Sequence, residues 1–208
     1  MYINCVLCNE VSGRNALSVR LHHKRPLALA ESAHFVALPD IQPLVSGHTL
    51  VLTKFHIPSF SGVSATLREE LQGIVARARS RIADRHEAPF PFLFEHGPGD
   101  GPYPGCCVSH AHIHMIPLVA PVMNWLHVAI DGELRRGSGD VIETLSTVRS
   151  SYLYYQNADG EDFVISDLES PVPRQFIRQA VGRFLGIRHW NWKIALSHPR
   201  GHDHENVG

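Results

Sequence analysis

The chain reads as an α+β protein, and three features of its sequence predict this. Residues 63–86 place Val63, Leu67, Leu71, Ile74, Val75, Ala78 and Ile82 at helical spacing, with arginines and acids filling the other face. Residues 35–38, 48–53 and 90–94 are short runs rich in branched and aromatic side chains, which read as strands on either side of that helix. Residues 110–115 then alternate strictly, with His110, His112 and His114 interleaved by Ala111, Ile113 and Met115. A strand sends successive side chains to opposite faces, so the apolar set enters a core while the imidazoles gather on one surface.

The punctuation between these elements is consistent. Pro39-Asp40 and Ser46-Gly47 supply turn chemistry between the first two strands, and a Gly/Pro-rich loop at residues 97–105 leads into the histidine strand. Such a loop beside a chemical strand suits a lid or substrate wall. Beyond residue 120, residues 139–150 read as a short helix. Residues 152–156 and 162–165 read as strands joined by the turn Asn157-Ala158-Asp159-Gly160. Residues 173–185 are amphipathic, and Trp190-Asn191-Trp192 follows; aromatic-rich segments of this kind pack more often than they bind. Residues 198–208 are polar, carry three histidines and read as a mobile tail. The organisation expected is a main domain over 1–120, an α/β extension over 121–197 packed on it, and the tail.

Composition sets outer bounds. With 208 residues, 44% hydrophobic and 19% charged, the chain can bury a good core. A net charge of −1 gives no global attraction to nucleic acid or an anionic membrane, so any phosphate-binding power must be local. No apolar run approaches the ~20 residues needed to span a bilayer. The start Met1-Tyr2-Ile3-Asn4-Cys5 shows no signal peptide, and four cysteines make a disulfide framework improbable, so a reduced cytoplasm is expected.

The candidate chemistry centres on the histidine strand. Imidazole suits nucleophilic or acid–base work near neutral pH and is a good metal ligand. Three clustered rings repel if protonated together, so each needs a partner. Cys5-Val6-Leu7-Cys8, placed in a loop or turn, is a second signal that by itself fits redox, metal or coincidence. A small zinc finger would need a spaced histidine pair about a dozen residues on; His22-His23 are adjacent and fit poorly.

The run from His110 to Ile116 resembles the signature of the histidine triad (HIT) superfamily, three histidines separated by apolar residues. Residues 38–52 look like that family's nucleoside-binding stretch. The resemblance covers roughly residues 1–120 and implies a HIT-like fold: an antiparallel sheet with the long helix packed on one face. It implies a nucleotidyl hydrolase or transferase acting at an α-phosphate through a nucleotidyl–histidine intermediate. In that reading His112 is the nucleophile and His114 donates to a phosphate oxygen. Asp40 accepts from the ribose hydroxyls, with Ile41 beside the base; His48 has a packing and hydrogen-bonding role. In zinc-containing members of the family, the ligands correspond to Cys5, Cys8, His56 and His110, a closed and therefore structural set. A homodimer with a continuous sheet or helix contact is implied as well.

Two positions depart from the family pattern. Cys107 stands where a serine normally contacts the phosphate or leaving group, and a thiol is a weaker donor. Glu95 replaces a phosphate-contacting amide. Both leave the leaving group open. A binding scaffold for nucleic acid or a processing complex is the competing class, against which near-neutral charge counts. A thiol site at Cys106-Cys107 with His110 is a third, disfavoured because vicinal cysteines rarely close a relaxed disulfide.

Overall fold

Side chains alternate across a strand, so a sheet has two faces to bury, and here both are covered. The computed structural model describes residues 5–14, 16–23, 27–86, 88, 91–98, 108–118, 130–157, 159–168, 170, 172–188 and 190–193. Its strands are β1 (Ala30–Glu31), β2 (Phe35–Pro39), β3 (Thr49–Thr53), β4 (Phe92–Gly97), β5 (His112–Ile116), β6 (Glu133–Arg136), β7 (Tyr152–Gln156) and β8 (Asp162–Ser166). They form one sheet in the order β1-β2-β3-β5-β4-β7-β8-β6, and every pairing is antiparallel. The helices are α1 (Val6–Ser12), α2 (Leu17–His22), α3 (Arg68–His86), α4 (Val141–Leu145) and α5 (Phe176–Phe184). None of the described helices is long and apolar enough to cross a membrane.

One face carries the main core. Leu71, Ile74, Ala78 and Ile82 of α3 pack there with Ala111, Ile113 and Met115 around the histidine strand, all buried. The long helix begins at Arg68 rather than at residue 63, because two short 3₁₀ turns, Phe60–Gly62 and Ala65–Leu67, precede it. Ser64 caps the second of these through its side-chain oxygen, which accepts the Thr66 N–H. Val63 keeps its expected place in the core all the same.

The opposite face is covered by two helices rather than one. Leu7 of α1 packs on Val36, Leu38, Leu50 and Leu52, at the β2–β3 end. Ile177 and Val181 of α5 pack on Phe92, Phe94, Leu153 and Tyr155, at the β4–β7 end. The cysteine pair thus opens a helix instead of lying in a loop: Cys5 is the N-cap of α1, and its sulfur accepts the Cys8 N–H at 3.5 Å. Between the two helices lies β5, the histidine strand, whose residues are all buried.

The chain beyond residue 120 enters this same sheet. β7 pairs with β4 along five positions, from Leu93↔Gln156 to Gly97↔Tyr152, and β8 and β6 extend the sheet outward. β4 is therefore paired on both sides, and among the described residues the sheet ends at β1 and β6. β1 has two residues, and β6 reads Glu133-Leu134-Arg135-Arg136; short length and charge both discourage strand addition. A continuous sheet between two copies would have to start from one of those edges. The tail at 198–208 lies outside the described residues, as does Cys106-Cys107.

Candidate functional site

His112 and His114 project from β5 on the face that α3 does not cover, and both rings are buried, at 5% and 7% exposure. Nδ1 of His112 lies 2.6 Å from the carbonyl oxygen of His110. A carbonyl only accepts, so Nδ1 carries the proton and the neutral ring holds its lone pair on Nε2. His114 is fixed from the other direction. The Leu44 N–H donates to His48 Nδ1 at 3.2 Å, which leaves the His48 proton on Nε2. That Nε2–H donates to His114 Nδ1 at 2.9 Å, so the His114 proton resides on Nε2. Burial holds His48 down at about 4 and His114 well below the ordinary imidazole range, which keeps both rings neutral near pH 7. The Phe94 ring stacks on His114 at 4.3 Å and locks its plane. The strand thus presents one ring with a lone pair and, next to it, one ring with a donor.

Asp40 lies beside this pair, in the turn after β2. Its Oδ1 accepts the Gln42 N–H at 2.8 Å, and its Oδ2 accepts Arg178 Nη1 at 2.9 Å. Oδ2 is also 3.5 Å from His48 Nε2 and 3.7 Å from His114 Nδ1. The turn reading and the pocket reading of Asp40 therefore coexist. Asp40, Ile41, His112 and His114 all line one cleft of about 650 Å³, measured with its open mouth. Its side walls are helical: Val6 and Leu7 of α1, and Phe176 and Ile177 of α5, with Trp192 behind. Sequence reasoning placed residues 173–192 in packing, yet they both pack and form the wall. Arg178 and Gln175 were not anticipated, because nothing local to them signals a site.

Glu95 lies elsewhere than the sequence suggested. It shares the α3 face with Leu93, and its buried carboxylate accepts the Tyr152 hydroxyl at 2.5 Å and the Phe60 N–H at 3.1 Å. Gly97 makes this possible, since a Cβ there would collide with the Tyr152 ring. The residue of β4 that lines the cleft is the next one, His96. The β4–β5 register, Phe92↔Ile116 to Phe94↔His114, continues to place His96 across from His112. His96 is buried, and burial followed by the charge of His112 lowers it to about 4. Cys107 lies outside the described residues.

Burial raises Glu95 to about 7, against hydrogen bonds from Tyr152 and the backbone N–H groups of Phe60 and His112 that favour its ionised form. The folded chain then keeps a proton that the unfolded chain has lost between about 4.5 and about 7. Stability from this group is present below that window and falls as pH rises through it. Glu95→Gln is expected to stabilise the chain at pH 8 relative to pH 5 by up to about 3 kcal/mol compared with the parent. Urea denaturation of both proteins at the two pH values checks this, and a pH-independent difference would refute it.

A second cluster sits at the entry to the histidine strand. Cys5, Cys8, His56 and His110 each offer one donor atom, and these four atoms lie within 4.8 Å of one another. His110 Nε2–H donates to the Thr53 carbonyl at 2.9 Å, so Nδ1 bears the lone pair and faces both sulfurs, at 3.5 and 3.4 Å. Cys8 Sγ is 3.3 Å from His56 Nδ1. A tetrahedral ion with Zn–S of ~2.3 Å and Zn–N of ~2.0–2.1 Å requires sulfur–nitrogen edges of roughly 3.5 Å. The donor set and its spacing fit such an ion, and the Thr53 carbonyl gives His110 the outer partner a ligating imidazole needs.

The antiparallel sheet thus carries the long helix on one face and the histidines His112 and His114 on the other. Residues 24–120 match the family model of the HIT domain. The chain is 28% identical over 114 residues to the uncharacterized HIT-like protein MG132 of Mycoplasma genitalium, across 55% of this chain and 72% of that protein. It is 28% identical over 121 residues to adenosine 5'-monophosphoramidase HINT3 of Mus musculus, across 57% of this chain and 64% of that protein. Among solved structures, a member of the HIT family from Bacillus subtilis is 27% identical, covers 55% of this chain and 72% of its own, and has a TM-score of 0.42.

Proposed function

We propose that this chain is a nucleotidyl hydrolase or transferase that acts at the α-phosphate of a nucleotide conjugate. The observation that carries this reading is the complementary tautomer pair: a lone pair on His112 Nε2 beside a proton on His114 Nε2, in one cleft with Asp40. Phosphoryl chemistry asks for a placed nucleophile and donors to the equatorial oxygens, and this pair supplies one of each. His112 Nε2 forms a bond to phosphorus while the bond from phosphorus to the leaving group breaks, and the leaving group takes up a proton from solvent water. Water or another acceptor then attacks the phosphorus, the N–P bond breaks, and a nucleoside monophosphate leaves. The His114 donor stabilises the charge on the phosphoryl oxygens, an effect of ~100-fold in rate for one well-placed donor.

Asp40 serves the ribose in this reading. An ionised carboxylate has about four lone-pair positions, and the Gln42 N–H and Arg178 take one on each oxygen. One acceptor position remains on Oδ1 for a vicinal diol, and the second hydroxyl would take the other position on Oδ2, which His48 Nε2 approaches only to 3.5 Å. A 2′-deoxy sugar leaves one of these unpaired, a loss of ~1–3 kcal/mol, so ribonucleotides are expected to bind at least about tenfold more tightly. Asp40→Asn should shrink that preference by weakening the ribonucleotide more than its deoxy counterpart. Equal losses measured by titration calorimetry would leave Asp40 with the turn alone.

Zinc is the ion proposed for Cys5, Cys8, His56 and His110. Four protein ligands close its coordination, so the ion would hold α1 against the lead-in to β5 and take no part in the chemistry. The function is tested by offering nucleotide conjugates with amine, phosphate, nucleotide and sugar-phosphate leaving groups and reading the nucleoside monophosphate released. Release from at least one class is expected. No release from any class, with nucleotide binding retained, would favour the binding-scaffold class.

A further inference from the structure

The cleft is completed by chain well outside residues 24–120, and one residue of that segment reaches its polar end. Arg178, on α5, is 4% exposed and spends its guanidinium on two separate stretches of chain, the turn at Asp40–Gln42 and the backbone at Trp190. Nη1 donates to Asp40 Oδ2 at 2.9 Å, Nη2 to the Gln42 carbonyl at 2.7 Å, and Nε to the Trp190 carbonyl at 3.3 Å. Asp40 and Gln42 are also tied to each other by the Gln42 N–H to Oδ1 bond. The planar fork therefore grips both ends of a three-residue turn whose middle residue is Ile41. Only a guanidinium offers rigid, divergent donors of that kind; an ammonium is a single point of charge.

We infer that Arg178 is the positioning residue of the sugar subsite: acting through Asp40, it sets ribose selectivity, and so makes the C-terminal segment part of the substrate site. This rests on the nucleotide reading above. The physical reason is the accounting at the carboxylate. Free to rotate, Asp40 could offer its lone pairs in many directions. With Oδ1 held by the Gln42 N–H and Oδ2 held by Arg178, both remaining acceptor positions have fixed directions, as simultaneous bonding to two adjacent hydroxyls requires. The segment that carries Arg178 is itself set rigidly. Gln175, just before α5, adopts a left-handed conformation at φ 61°, and its side chain bonds to Asn191 and to the Trp192 N–H. That arrangement ties the start of α5 to the residues behind the cleft.

A purely structural Arg178 would dock α5 and affect every ligand alike, so the test reads discrimination rather than affinity alone. The probes are the ribonucleoside monophosphates and their 2′-deoxy counterparts, titrated calorimetrically into the parent, Arg178→Met and Arg178→Lys, with melting temperatures recorded alongside. In Arg178→Met the best ribonucleotide should weaken by about tenfold or more while its deoxy counterpart changes by less than about threefold. Arg178→Lys should recover part of the ribose preference; if the Met variant does not fold, the Lys variant is read in the same way, with a smaller expected shift. Equal weakening of both sugars, or no change in either, overturns the inference and leaves the nucleotide reading standing. A parent that binds no nucleoside monophosphate overturns the nucleotide reading, and this inference with it.

Discussion

Replacing His112 with Asn is expected to lower kcat by on the order of 10⁴-fold or more, because in the proposed reaction this residue supplies the bond-forming lone pair and an amide nitrogen has none to offer. Nucleotide binding should survive largely intact. The cleft walls and Asp40 belong to other elements, and Asn can still donate to the His110 carbonyl that now holds the ring. The parent, quenched during turnover, should carry an acid-labile nucleotide on His112, detectable by mass spectrometry of the peptide. A His112→Asn protein that turns over within about tenfold of the parent would assign the nucleophile to another group. His96, buried across the sheet from His112, would then be the first to examine.

Loss of the Cys₂His₂ cluster is the other large expected effect. Protein made without a metal-affinity tag should contain one zinc per chain, and the double change Cys5→Ser with Cys8→Ser should abolish it. Ligand–metal energy is folding energy, and in small finger peptides it amounts to ~10–16 kcal/mol. This chain has a core of its own, so only part of that is at stake; a few kcal/mol still correspond to a melting temperature lower by on the order of 10 °C. Activity should fall too. The cluster joins α1, whose Val6 and Leu7 wall the cleft, to His110, whose carbonyl orients His112. Elemental analysis and thermal unfolding decide the matter. Stoichiometric zinc that survives the double change would sink the assignment and point to another site, such as the histidine-rich tail.

Much of this was legible in the sequence, for a reason that differs from element to element. The histidine strand declares itself because period-two alternation is local: Ala111, Ile113 and Met115 are fully buried on the α3 face, as the spacing requires. The long helix and α5 were readable from local periodicity of the helical kind, and β7 and β8 from the turn Asn157-Ala158-Asp159-Gly160 that joins them. The polar strand β6 was not, since Glu133, Leu134, Arg135 and Arg136 take their strand conformation from pairing with β8 and show no buried face. Nor was α1 readable. Its helix depends on a thiol acting as N-cap, and Cys-x-x-Cys alone does not specify that.

The sequence by itself determined which chemistry-bearing residues this protein has and how they are spaced: three histidines at every second position, Asp40 in its turn, and two cysteines three positions apart. Only the tertiary structure decided which side of β4 meets the histidines. Phe92 to Gly97 is buried on both faces, so no alternation of polar and apolar residues marks the cleft side. Pairing register with β5 makes that choice, turning His96 into the cleft and Glu95 towards Tyr152. Tertiary structure alone also brought Arg178 to Asp40 across 138 positions of sequence. An ion pair of that span leaves no periodic trace, because each partner is fixed by its own helix or turn. Their meeting follows from α5 packing its apolar side, Ile177 and Val181, onto the face of the sheet that bears the triad.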